Sequence, residues 1–316
     1  MRTHHTGPEH LVQTAAMARR FYLEGKSKLE IAEEFGISRF KVARTLESAL
    51  RDGLIRLEIR LPAELDAGLS DALRTRYGLR HSIVIDSPQG VPYDTVQATR
   101  RLGAVTADLL AEIVTENDVL GLVWGPEIEA VGLELSTLAR CTVVQLCGST
   151  PLRPVDKSAV EAVRRAATIA RGVVYPIYAP LLLPDAKAAQ MLREQPGVID
   201  AVSRFGKVTK AVVTVGGWEP GLSTIYDALG EAEREDYRRR GVCAEVAGHL
   251  LDADGRIIVP ELTERVIAIS FDELRKVPEV ILMADGAERT AATAAAVKTG
   301  LFNGIVTDAE VAESLL

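Results

Sequence analysis

Arg39, Lys41 and Arg44 open an amphipathic stretch directly after a turn-like Gly36-Ile37-Ser38. At about 100° per residue, Phe40, Lys41, Arg44, Ser48 and Arg51 share one side of a helix, while Val42, Leu46 and Leu50 stripe the other. Cationic side chains on one face suit phosphates and guanine edges in a DNA major groove, so Ser38, Arg39, Phe40, Lys41 and Arg44 form a candidate recognition set for double-stranded operator DNA. A second group of residues lies in loops. These are Trp124-Gly125-Pro126-Glu127, Cys147-Gly148-Ser149-Thr150, Gly216-Gly217-Trp218, Asp285-Gly286-Ala287-Glu288-Arg289 and Thr307-Asp308. Each follows an apolar, β-branched run. Glycine there admits close backbone approach, and the following helix N-termini supply N–H donors, which points to a small-molecule pocket.

The elements that must position these groups can be read from periodicity. Lys28–Phe35 reads as a helix with Ile31, Ala32 and Phe35 on its apolar face. Gly36 permits a left-handed turn, and Ser38 is a suitable N-cap for the next helix. Residues 11–25 predict a bracing helix ended by Gly25, and 53–59 (GLIRLEI) predict a wing-like strand. Arg60-Leu61-Pro62 breaks that strand. The expected division is therefore a helix-turn-helix domain over 1–60 and an effector-binding and oligomerisation domain over 61–316.

Beyond the boundary, eight apolar runs read as strands: 82–86, 119–124, 142–146, 173–178, 211–215, 266–269, 280–283 and 304–307. Helical patterns over 96–113, 127–138, 158–169, 236–251 and 287–299 lie between them. Such alternation predicts an α/β fold with a doubly wound, mostly parallel sheet, whose loops at the C-terminal strand ends share one edge.

Charge is divided between the two parts. The chain of 316 residues carries −7 overall, but residues 1–60 carry +3 and the remainder −10. A basic head can bind phosphates while an acidic body is repelled from them. With 47% apolar and 26% charged residues, and no run of eighteen apolar ones, the chain predicts a globular protein without a membrane span. Three cysteines without a C-x-x-C pair, and an N-terminal stretch without an apolar core, point to the cytoplasm. His4, His5 and His10 lack metal-ligand spacing, so neither metal nor cofactor is expected. His81, before a strand, and His249, within a predicted helix, have no evident catalytic partner. No G-x-x-x-x-G-K-[ST] loop occurs either, so the sequence points to a protein that is not an enzyme and has no catalytic residue.

Several segments together resemble the SorC-type (sorbitol operon regulator) sugar-binding transcriptional regulators. They are SRFKVARTLESALRDGLIRLEI, GVCAEVAGHLLD (241–252), Asp254-Gly255-Arg256, LTERVI (262–267), FDELRKVP (271–278), 285–289 and 304–308. The resemblance covers most of 15–316. It implies an effector domain related in fold to sugar-phosphate isomerases and deaminases, a homotetramer, and operator affinity modulated by a carbohydrate. It also implies an effector site made of Trp124, Gly125, Pro126, Glu127, Cys147, Gly148, Ser149, Gly216, Gly217, Glu245, Asp285, Gly286 and Arg289. Where the family's first loop often places a hydroxyl, this chain has Glu127. Where some members place an arginine before the next Gly pair, it has Cys147. A carboxylate repels a phosphate but accepts hydrogen bonds from hydroxyls, so a neutral sugar or polyol is favoured over a phosphorylated one. The alternative is a sugar-phosphate isomerase or deaminase with an appended helical head.

Overall fold

Ser27 and Glu30 start the second helix of the chain by satisfying each other's backbone: Ser27 N–H donates to Glu30 Oε2 (2.7 Å) and Glu30 N–H to Ser27 Oγ (3.3 Å). In the computed structural model, which describes residues 7–56, 65–86, 94–150 and 159–316, the chain forms two compact units, Met1–Arg60 and Leu61–Leu316. The first holds α1 (Pro8–Tyr22), α2 (Lys28–Phe35) and α3 (Arg39–Arg51). Gly36 takes the left-handed conformation (φ 61°) between α2 and α3, and Ser38 Oγ accepts from Lys41 N–H (3.2 Å). Met17, Ala18, Ile31, Ala32, Val42 and Leu46 close a small core. The buried stripe of α3 differs from the four-residue spacing read from sequence. Ala49 is buried, whereas Leu50 is 37% exposed, because a 3.6-residue period drifts away from strict i+4 steps. Of the predicted wing strand, residues 53–56 form a turn and bend rather than a strand, because Gly53 takes a positive φ of 76° at the end of α3, and residues 57–59 lie outside the described residues.

The second unit is a parallel sheet with helices between its strands. Its strands are β1 (His81–Ile85), β2 (Val119–Leu122), β3 (Thr142–Gln145), β4 (Val174–Tyr175), β5 (Lys210–Gly217), β6 (Ala244–Val246), β7 (His249–Leu251), β8 (Ile257–Ile258), β9 (Glu279–Ala284) and β10 (Gly304–Asp308). Its helices are α4 (Ala67–Tyr77), α5 (Thr95–Ile113), α6 (Pro126–Glu134), α7 (Ala159–Ala170), α8 (Ala186–Arg193), α9 (Val198–Val202), α10 (Thr224–Ala228), α11 (Glu231–Arg239), α12 (Pro260–Thr263), α13 (Phe271–Leu274), α14 (Thr290–Lys298) and α15 (Ala309–Leu315). The spatial order is β1-β10-β9-β5-β2-β3-β4, with every neighbour parallel. From β2 the chain steps outward through β3 and β4. It then returns to β5 on the other side of β2 and continues to β9 and β10. The order therefore reverses between β2 and β5, the place where open α/β sheets leave a crevice beyond their C-terminal ends.

Two segments differ from the sequence reading. The helix expected over 236–251 ends at Arg239; after Gly241 (φ 93°) the chain forms β6 and β7. Ala247 (φ 50°) and Gly248 (φ 80°) make the tight turn between them, and β6 pairs antiparallel with the overhanging tail of β5. Residues 266–269 are not a strand of the sheet. They make isolated bridges, Val266 to Leu182 and Ala268 to Cys147. The parts that differ, 244–251 and 266–269, are short and largely apolar, a pattern in which helix and strand cannot be told apart by periodicity.

Backbone proximity is tightest at Gly172, beyond α7, where a Cβ would lie 1.7 Å from the Cys141 carbonyl oxygen. Gly172→Ala forces the chain off β3 and should destabilise the protein by about 1–3 kcal/mol or more, read by urea unfolding. An unchanged midpoint would show that this approach is not a constraint.

Candidate functional site

The crevice at the strand-order reversal is a real cavity of about 280 Å³. The end of β2 contributes Trp124, Gly125, Pro126 and Glu127, and the end of β5 contributes Thr214, Val215 and Gly216. Thr214 Oγ1 donates to the Trp124 carbonyl (3.1 Å), tying the two strand ends together. Cys147 and Thr150 follow β3, and the buried Gln145 fixes that loop by donating to the Cys147 carbonyl (2.7 Å). Glu245, Ala247 and Gly248 come from the β6–β7 hairpin, and Arg289 from the turn before α14.

The carboxylates decide the electrostatics. Glu245 is buried, and its carboxylate accepts from Ser223 Oγ and from Ile225 N–H (3.0 Å) at the start of α10. Burial pushes its pKa up, against the opposing effect of those two donors. Glu127 is also buried, with its Oε1 3.4 Å from Arg289 Nη2, so it does not point into solvent. Gly125 admits this arrangement, since a Cβ there would meet Glu127 Oε2 at 2.7 Å. Arg289 Nη1 donates to the Asp285 carbonyl (3.1 Å) and to its Oδ1 (3.3 Å), while Thr99 Oγ1 donates to Asp285 Oδ2 (2.8 Å). Burial raises the Asp285 pKa, and Arg289 opposes that. Among the described residues, the one arginine of the cavity wall is thus flanked by two acidic side chains.

Of the residues expected to bind an effector, Trp124, Gly125, Pro126, Glu127, Cys147, Gly216, Glu245 and Arg289 line this one cavity. The others do not. Asp285 is fully buried behind Arg289, and Gly286 lines a neighbouring hollow. Gly148 and Ser149 are held in backbone pairing, with their N–H groups donating to the Ile267 (2.7 Å) and Ala179 (2.9 Å) carbonyls. Gly217 pairs with Ala244. The glycines make room mainly for the protein itself: a Cβ at Gly148 would meet the Pro180 oxygen, and one at Gly216 the Leu222 oxygen, both at 2.6 Å. Trp218 belongs to the core, its ring edge-on to Tyr226 at 5.2 Å. Arg265 pairs with Glu233 (2.6 Å).

Sequence reasoning missed Thr214, Ser223 and Asp227 in the cavity wall. The usable signal for Ser223 was its position as N-cap of a short helix after Pro220-Gly221. The histidines also differ from the reading. His81 does have a partner, the Glu279 carboxylate, which also binds Lys210 (2.6 Å) at the opposite edge of the sheet. His249 lies in β7, not in a helix, with Nε2 2.9 Å from the Ile269 carbonyl. Burial pushes the Cys147 thiol up to about 12, so it stays protonated at neutral pH.

In the first unit, Ser38, Arg39, Phe40, Lys41 and Arg44 are all exposed along the start of α3, and Phe40 is 73% exposed despite its apolar ring. Phe40 therefore does not complete the small core. Ser38, Lys41, Arg44, Thr45 and Ser48 border one shallow hollow, so polar and cationic groups gather on one side of the helix.

Comparison with known proteins fits this geometry. Residues 62–316 match the family described as "Putative sugar-binding domain". The chain is 28% identical over 304 residues to the transcriptional regulator YjhU of Escherichia coli (strain K12), covering 94% of this chain and 92% of that one. It is 27% identical over 306 residues to the transcriptional regulator LsrR of Enterobacter sp. (strain 638), covering 96% and 92%. Its fold matches the full-length sorbitol operon regulator SorC from Klebsiella pneumoniae with a TM-score of 0.72 at 19% identity, over 96% of this chain and 98% of that one.

The raised pKa of Glu245 has a consequence for stability. Its carboxyl keeps its proton to higher pH in the folded chain than in the unfolded one, so the folded chain loses stability as pH rises past the ordinary value of 4.5. Glu245→Gln removes that loss. In urea titrations, the stability of the native chain relative to the variant should fall as pH rises above 4.5. A difference that stays constant with pH would remove Glu245 as a buried titrating group.

Proposed function

The chain belongs to the "Putative sugar-binding domain" family, the family of the SorC-type transcriptional regulators, and from that premise we propose that it is a DNA-binding regulator whose operator affinity is set by a neutral sugar or polyol. The observation that carries the effector half is the state of the two helix N-termini at the cavity. Such termini ordinarily hold anions. At α6 the first position is Pro126, which has no N–H, and Glu127 follows it in the first turn. At α10 the N–H of Ile225 is taken by Glu245 and that of Tyr226 by Ser223 Oγ (3.0 Å). Arg289, the one arginine among the described residues of the wall, is flanked by Glu127 and Asp285. A phosphate, with nearly two negative charges, meets carboxylates here and finds few uncommitted donors among the described residues. Hydroxyl groups instead find acceptors in Glu127, Asp227 and Glu245, and Trp124 offers an apolar wall.

The DNA half rests on α3. Its N-terminal residues enter a major groove, with Arg39, Phe40, Lys41 and Arg44 nearest the bases and Arg44 placed for a bidentate contact to guanine. A long, symmetric site requires paired heads, so the working form is a homo-oligomer, and the family resemblance favours a tetramer. Effector binding shifts the equilibrium between arrangements of the bodies. A coupling of about 1–3 kcal/mol changes operator affinity by about 5- to 150-fold. The cavity binds without turnover. A protonated Cys147 thiol and a Glu245 carboxylate held by Ser223 and Ile225 are poorly suited to nucleophilic or basic work. Among the described residues no helix is long and apolar enough to cross a membrane, and we place the protein in the cytoplasm.

Two measurements test this reading. Arg44→Ala should weaken operator binding by about 1–3 kcal/mol in a gel-shift titration and leave effector affinity unchanged. Unaltered operator affinity removes Arg44 from the recognition set. Calorimetric titration should show D-sorbitol, D-glucose or D-ribose binding more tightly than the corresponding phosphate. Tight binding of a phosphate ester with no binding of any neutral sugar reverses the effector assignment.

A further inference from the structure

A second hollow of about 690 Å³ lies against the outer side of the carboxylate-lined cavity. Pro126, Glu127, Gly221, Leu222 and Arg289 border both, so the two are separated by a single layer of residues. The chemistry changes across that layer. Where the inner cavity presents Glu245, Asp227 and Thr214, the outer one presents Val96, Ala130 and Leu133. Val96 is 77% exposed and Leu133 58%, a costly way to present large apolar side chains unless something covers them. Charge at the outer rim is partly matched, with Arg100 Nε 2.6 Å from Glu134 Oε1; Glu129 and Glu288 complete it.

Size gives a second argument. Small-molecule sites typically span about 300–1,000 Å³. The inner cavity, at about 280 Å³, has room for one small hydroxylated unit, and the two hollows together come near the upper end of the range. The third argument comes from Arg289. Its side chain is only 12% exposed and stands in the shared wall, yet its Nε is buried without a hydrogen-bond partner among the described residues. A buried N–H donor without an acceptor is costly, and Nε–H can only donate. Arg289 borders both chambers, so a ligand oxygen entering between them can supply that acceptor once the side chain turns toward it.

We propose that the two hollows form one two-chamber site and that its ligand is an O-glycoside with an apolar or aromatic aglycone. The sugar hydroxyls donate to Glu127 and Glu245 in the inner chamber. The glycosidic oxygen accepts from Arg289 Nε in the wall. The aglycone covers Val96 and Leu133 in the outer chamber. The proposal rests on the neutral-carbohydrate reading given above and adds the group attached to that carbohydrate.

Calorimetric titration of the full-length chain tests it with two series: D-glucose, methyl β-D-glucoside and phenyl β-D-glucoside, and D-ribose, methyl β-D-riboside and benzyl β-D-riboside. In at least one series the aromatic glycoside should bind at least tenfold more tightly than its methyl counterpart. Leu133→Asp, a change at an exposed position, should abolish that gain and leave the methyl glycoside unaffected. If a free sugar or methyl glycoside binds and the aromatic one binds no better, the two-chamber site is wrong and the neutral-carbohydrate reading stands. The two-chamber site is equally wrong if the gain survives Leu133→Asp. If none of the six binds while a sugar phosphate does, both readings fail.

Discussion

The carboxylate of Glu245 occupies a position at the start of α10 that would otherwise receive an anion from outside. Ser223 and the Ile225 N–H hold it there, in a site where burial alone would favour the neutral acid. The rest of the cavity follows from that intramolecular occupancy. Donors that could bind a phosphate are committed to the protein's own side chain. The remaining polar surface is rich in acceptors, and acceptors select ligands that bring their own protons. Arg289 does not reverse this balance, because Glu127 and Asp285 stand on either side of its guanidinium.

That arrangement depends on backbone geometry well away from the carboxylate. β5 runs past its parallel neighbours, and its tail from Val215 to Gly217 becomes the template for β6. The antiparallel pairing carries Glu245 to the edge where β2 and β5 diverge. Gly216 lets Leu222 and Ser223 pass within van der Waals reach of the strand, which brings the start of α10 to the carboxylate. The parallel sheet therefore supplies the crevice, and a small antiparallel addition supplies its acidic wall. Gln145 does comparable work on the other side, holding the Cys147 carbonyl and accepting from the Ile177 N–H (2.9 Å).

Local chemistry was legible in the sequence wherever a residue acts on its own neighbours. Gly36 and Ser38 mark the turn and cap of α3 because φ freedom and N-capping are properties of a few consecutive residues. Apolar runs marked most strands of the sheet for the same reason. What the sequence did not show was orientation set by distant partners. The hairpin of β6 and β7 resembled helix because its pairing partner, the tail of β5, lies some thirty residues earlier. Gly148 and Gly217 marked the correct edge, but their close contacts are with Pro180 and Leu222. Ser223 and Asp227 were missed because a five-residue helix leaves little periodic signal.

The division of charge bears on how such a cavity can govern DNA binding. A head of +3 and a body of −10 leave each chain net repelled by a polyanion, so attraction is confined to the head, where the proposed contact is the short cationic face of α3. A single such face releases few counterions and grips weakly at physiological salt. In the proposed oligomer, affinity then comes from two faces engaging at once. The second engagement is governed by effective concentration, which collapses when the spacing of the faces does not match the groove repeat. A modest rearrangement of the bodies is consequently enough to change occupancy. An effector that replaces the contact between Glu127 and Arg289 with its own hydrogen bonds needs to favour one arrangement by only a few kcal/mol. A neutral ligand can do this without adding to the repulsion between body and DNA.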